Sequence, residues 1–132
     1  MRTGLRYVLA LAYFIAGIAH LWSPAGFVQI TPMWVPAHIL VVFVTGLCEI
    51  FGALALALVP KLRVAAGLCL TAYAAAVFPA NINHALNDIA IGGVDLSWWY
   101  HGPRLLFQPV IIWCTLWTSG VIDWPFGGHH DR

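Results

Sequence analysis

The sequence predicts an all-α fold, a four-helix transmembrane bundle with both termini on the cytoplasmic side. Three observations predict it. The 132 residues are 61% hydrophobic and 8% charged, whereas soluble domains carry about 25% charged residues. Mean hydropathy is +0.84, so a soluble domain of this composition would lack the polar surface to cover itself. The apolar residues fall into four stretches, about 5–22, 37–59, 62–86 and 104–122, each near the ~20 residues that a helix needs to cross hydrocarbon. Segments 23–36 and 87–103 are long connections, and residues 1–132 are read as one membrane domain.

The first stretch follows Arg2 and Arg6. It is longer than the apolar region of a signal peptide, and no small-x-small cleavage site follows His20-Leu21-Trp22-Ser23-Pro24, so it is read as a retained helix. Tyr13, Gly17 and His20 share one face, where Gly17 allows close helix approach. Segment 23–36 holds Pro24, Pro32 and Pro36 with Phe27 and Trp34. It is read as a loop too apolar for free water, lying at the interface or folding back over the bundle mouth.

On the second stretch His38, Val42, Thr45, Glu49, Gly52 and Leu56 share a face by their spacings of three and four. That face is expected to point into the bundle. Glu49 sits mid-helix, where a carboxylate costs a few kcal/mol or more. It is a functional-site candidate, or a protonated side chain joining helices. Pro60-Lys61 is a short turn that makes helices two and three an antiparallel hairpin.

The third stretch ends in Val77-Phe78-Pro79-Ala80-Asn81-Ile82-Asn83-His84. Pro79 has no amide hydrogen, so the Ala75 carbonyl loses its helical donor. In hydrocarbon that carbonyl needs a partner from a neighbouring helix or a water. Asn81 and His84 share a face with Val77 and Tyr73. Segment 87–103 carries Gly92-Gly93, Trp98-Trp99-Tyr100 and His101; its aromatics are read as an interfacial belt. The fourth stretch places Arg104, Gln108, Ile111 and Thr115 on one face, and Pro109 is expected to bend it. In the tail, His129-His130 are read as a solvated end rather than a metal pair. Cys48, Cys69 and Cys114 lie in apolar stretches and are expected to be small buried hydrophobes rather than a dithiol redox site.

Four helices put Arg2, Arg6, Lys61, Arg63 and Arg132 on one side and only Arg104 on the other. The positive-inside rule makes the first side cytoplasmic, with the long segments facing outward from a bacterial inner membrane. His20, His38, His84 and His101 then fall near the outer helix ends, with Asn81, Asn83, Arg104 and Gln108 in the same half. Three chemistries fit such a mouth. A quinone head group needs donors for its carbonyls, which His, Asn, Gln and Arg supply, and a proton route, for which Glu49 or His84 serve. A histidine metal site is weakly supported, because no H-x-x-x-H spacing occurs. The third is no ligand at all: polar groups hold the helices in register, Arg104 and the histidines meet lipid head groups, and the aromatic outer segment docks a partner protein. No basic patch supports nucleic-acid binding, and no nucleotide or hydrolase motif occurs.

Phe14-x-x-Gly17-x-x-His20, Pro32-x-x-x-Pro36, Glu49, Phe78-Pro79-Ala80-Asn81-Ile82 and Arg104-x-x-x-Gln108 together resemble the DoxX-like family of small bacterial membrane proteins. The resemblance implies a four-helix membrane fold. It makes His20, Glu49, Asn81, Arg104 and Gln108 the positions of interest. The family name goes back to a subunit of a quinone-reducing oxidoreductase, and some relatives are linked to membrane redox complexes. A membrane oxidoreductase subunit is therefore expected, with a quinone as the molecule bound, a redox subunit as partner besides the lipid bilayer, and room for an oligomer. Under this reading His20, Asn81, Arg104 and Gln108 bind, while Glu49 and His84 move protons.

Overall fold

A computed structural model describes residues 1–127. It is all-helical, with five helices among the described residues: α1 (Arg2–Trp22), α2 (Pro24–Ile30), α3 (His38–Leu58), α4 (Arg63–Leu86) and α5 (Trp98–Ser119). A 3-10 turn, Pro60–Leu62, joins α3 to α4. His129 and His130 lie outside the described residues.

The four long helices close a ring. α1 packs on α3, α3 on α4, α4 on α5, and α5 returns to α1. Small residues set the closest crossing. A Cβ on Gly17 would stand 2.7 Å from the Gly46 carbonyl oxygen, and one on Gly46 would stand 2.8 Å from Cβ of His20. The α1 and α3 backbones therefore touch at this level, as the Gly17 reading predicted. The core below it is Ala10, Tyr13, Ala53, Leu56, Ala66 and Leu70. The outward faces are apolar too, with Leu11, Ile15, Ile39, Leu40, Phe51, Leu68, Leu106 and Phe107 exposed. Water-facing surfaces rarely carry so much contiguous apolar area. α1, α3 and the span Pro60–Leu86 are each long and apolar enough to cross a bilayer, which is what an integral membrane protein presents.

One end of the ring gathers arginines. Arg2 donates from Nε to the Trp117 carbonyl (2.7 Å) and from Nη1 to Asp123 (3.0 Å). Arg6 donates to the Thr118 carbonyl (2.9 Å), and Arg63 is beside it. These carbonyls belong to the last turn of α5, which lacks helical donors of its own. Gly120, at φ 88°, closes that turn, with Val121 bonding back to Leu116. The arginine contacts hold the first turn of α1, so α1 starts at Arg2 rather than near residue 5.

The opposite end departs from the sequence expectation in two places. Segment 23–36 contains a helix, α2, with Pro24 in its first turn where the missing amide costs nothing. Ile30 is buried and Asn83 of α4 donates to its carbonyl at 3.0 Å, so docking sustains a helix of 7 residues. α5 begins at Trp98, not Arg104. The Ser97 carbonyl accepts from the amides of Tyr100 and His101, and His101 is buried on the bundle. The rest of the second connection turns at Gly92-Gly93, both at positive φ, and lays Ile91 against Gly26 of α2.

The cysteines also differ. Cys48 and Cys69 are exposed and Cys114 is half-buried; all are free thiols. They lie on outward faces, because a helix bound for lipid is apolar all round and composition does not mark its inner side.

Candidate functional site

Between the helices, beneath α2, lies a cavity of about 510 Å³, within the range that small-molecule sites occupy. Most of its wall is apolar, from Leu9, Ala12, Phe27, Val42, Val77 and Phe107 among others. The polar lining is made by His20, Glu49, Asn81, Arg104 and Gln108, together with Tyr13, Tyr73 and two threonines. The five residues singled out from sequence thus converge on one cavity from α1, α3, α4 and α5.

Each is held differently. His20, at the end of α1, gives its Nδ1 hydrogen to the Ala16 carbonyl (2.8 Å). A carbonyl only accepts, so the tautomer is set. Phe27 of α2 stacks on the His20 ring, with centroids 3.7 Å apart. Glu49 Oε2 lies 3.0 Å from the same Nδ1, an ion-pair approach, while the ring hydrogen is directed at Ala16, so among the described residues Oε2 has no well-aligned hydrogen bond. Glu49 is only 3% exposed, and Tyr73 is beside it.

On α5, Gln108 reaches the turn of α4 that Pro79 interrupts. Its amide donates to the Ala74 carbonyl at 2.7 Å, next to the carbonyl that Pro79 leaves without a donor. Asn81 donates to Gln108 Oε1 at 3.4 Å. Arg104 donates from Nη1 to Nδ1 of His84 at 3.0 Å, and its guanidinium lies over the Tyr100 ring. An arginine has only donors, so His84 Nδ1 is the acceptor and Nε2 carries the hydrogen.

His84 does not line the cavity. It is fully buried one residue behind it, with His101 at a ring-centroid distance of 4.6 Å, and reaches the cavity only through Arg104. Among the described residues no group of three or more His, Cys, Asp or Glu side chains could hold a metal. His38 bonds the Pro32 carbonyl (3.1 Å) outside the cavity. Sequence reasoning missed Phe27 and Gly46. Gly46 faces Gly17, but a pairing across helices leaves no trace in either stretch. Tyr13 belonged to the expected inner face, but its bond to Thr115 Oγ1 (3.1 Å) was not foreseen.

Fold and site together define a helical membrane protein with a mostly apolar cavity near one end, into which all four long helices bring polar side chains. Residues 9–119 match the family described as a domain of unknown function, DUF8561, and the chain belongs to that family. No curated protein and no solved structure matches it.

Proposed function

We propose that the chain is a four-span protein of the bacterial inner membrane, DoxX-like in character, with both termini cytoplasmic. Its cavity holds a quinone-like head group as part of a membrane oxidoreductase system. The observation that carries this reading is the convergence of Arg104, Asn81, Gln108, His20 and Glu49, from four helices, on one mostly apolar cavity. An amphipathic ring with polar oxygens matches such a cavity. Arg104 keeps donors beyond the one given to His84 and is the principal anchor. Glu49 and the Arg104–His84 pair are the groups through which a proton would pass.

The test is mass spectrometry of lipids that co-purify with the detergent-solubilised protein, wild type against Arg104→Ala. Quinone enriched in wild type and lost in the variant is the expected result. Enrichment in neither would overturn the reading. It would favour a non-catalytic scaffold that docks a partner through its exposed Trp98 and Trp99.

A further inference from the structure

The arginine end of the bundle carries more positive charge than its neighbours neutralise. Arg2 is fully engaged: Nη1 pairs with Asp123, Nη2 donates to the Ile122 carbonyl at 3.2 Å, and Nε donates to Trp117. Arg6 and Arg63 are left open. Arg6 gives its Nε hydrogen to the Thr118 carbonyl, and Arg63 gives its own to the Leu56 carbonyl at 3.3 Å. Each thus serves the last turn of a helix, α5 or α3. Each keeps both Nη groups without an acceptor among the described residues. The two guanidiniums are close enough to repel one another. No carboxylate among the described residues answers them. Asp123 is held by Arg2, Glu49 lines the cavity beside His20, and Asp88 and Asp95 lie in the connection at the α2 end. α1 and α4 also begin at the arginine end with no side-chain cap, so their positive ends add to the same field.

We infer that Arg6 and Arg63 bind the phosphate head group of an anionic phospholipid. This site is separate from the cavity and does not depend on what occupies it. Two adjacent half-buried cations are stabilised by an anion between them. A phosphate ester accepts from guanidinium Nη groups in pairs. The surroundings specify a lipid. Tyr7, Val59, Leu62 and Val64 expose their side chains around the two arginines. The apolar spans of α1, α3 and α4 all end at this level. An anion that rests on the arginines and also covers those side chains must carry apolar chains of its own. A free phosphate or an acidic peptide would leave them bare. Basic pockets between spanning helices take lipid head groups in this way.

The experiment is native mass spectrometry of the purified full chain in mild detergent. The chain is titrated with phosphatidylglycerol, or with phosphatidylcholine, which has the same phosphate but no net charge. Wild type is expected to bind its first phosphatidylglycerol about thirtyfold more tightly, about fivefold for each of two arginines. Arg6→Gln and Arg63→Gln each lower that preference about fivefold. Lys61→Gln removes the same charge from the exposed turn beside Arg63 and leaves the preference unchanged. An excess of sodium phosphate does not displace the lipid.

Equal affinity of wild type for the two lipids overturns the inference, and that comparison decides even if an arginine variant fails to fold. A loss with Lys61→Gln as large as with Arg63→Gln overturns it too, because the attraction then belongs to the surface charge as a whole. Displacement by sodium phosphate makes this a site for a free anion and overturns the lipid assignment.

Discussion

Substituting Gly17 by alanine tests whether the α1–α3 crossing holds the site. The added Cβ meets the Gly46 carbonyl oxygen and Ile50 Cγ1 at 2.7 Å, and the Ile50 amide at 3.0 Å. Two of these are backbone atoms that no rotamer change removes. Returning the contact to ordinary van der Waals distance separates the helices by about 0.7 Å, an overpacking that costs about 1–3 kcal/mol. The separation falls one turn below His20, so the 3.0 Å ion-pair approach of Nδ1 to Glu49 Oε2 lengthens by a comparable amount. The assay is equilibrium unfolding in mixed micelles titrated with SDS, followed by tryptophan fluorescence. Gly4→Ala, where a Cβ meets nothing within 4 Å, is the neutral control. Gly52→Ala, whose neighbours are the Leu70 side-chain tip, is expected to fall between the two. Gly17→Ala unfolding within about 0.5 kcal/mol of Gly4→Ala, the ordinary spread of surface changes, would refute the reasoning.

Further outcomes follow from single contacts. Gln108→Leu removes the buried α5–α4 hydrogen bond to the Ala74 carbonyl and is expected to cost about 1 kcal/mol in the same unfolding assay; Gln108→Glu, which cannot supply an amide hydrogen, does not rescue it. Arg2→Ala with Arg6→Ala unties the last turn of α5, so amide exchange at residues 116–121 accelerates while exchange in mid-α3 is unchanged. Phe27→Ala removes the ring stacked on His20, and the His20 imidazole resonances broaden or split in NMR spectra while the helix content holds.

Much of this protein was legible in its sequence for one reason: a polar group inside an apolar helix is costly, so its presence is informative. His20, Glu49, Asn81, Arg104 and Gln108 stood out on that ground together with His38, Asn83, His84 and His101; the first five, which the resemblance also marks, share a cavity and the other four do not line it. Their pairings did not stand out. Gln108 reaching Ala74, or Arg104 reaching His84, depends on the rotation of α5 against α4, which spacing within one helix does not fix. The helix α2 was hidden because seven residues among three prolines form no stable helix alone. It exists by docking Ile30 and Phe27 on the bundle. The cysteines were misplaced because apolar periodicity vanishes on a helix whose outer face meets lipid.

That last point bears on α5, the long helix that composition does not mark as a span. Its average is lowered by His101, Gln108, Thr115, Thr118 and Ser119, and all five are buried against the other helices. Its outward residues include Leu106, Phe107 and Val110, as apolar as those of α1 or α3. The polar face is inside and the apolar face outside, the arrangement that a bilayer requires of a helix bearing hydrogen-bonding side chains. Mean hydropathy cannot register it, because averaging erases direction. α5 also joins the α2 end of the bundle to the arginine end, where Arg2 meets Asp123. We therefore expect single cysteines introduced at Trp99 and at Asp123, in a background with Cys48, Cys69 and Cys114 replaced, to label from opposite sides of intact membrane vesicles with an impermeant maleimide. Labelling of both from one side would mean that α5 does not cross. The cavity would then need a wall supplied by something other than this chain's fourth long helix.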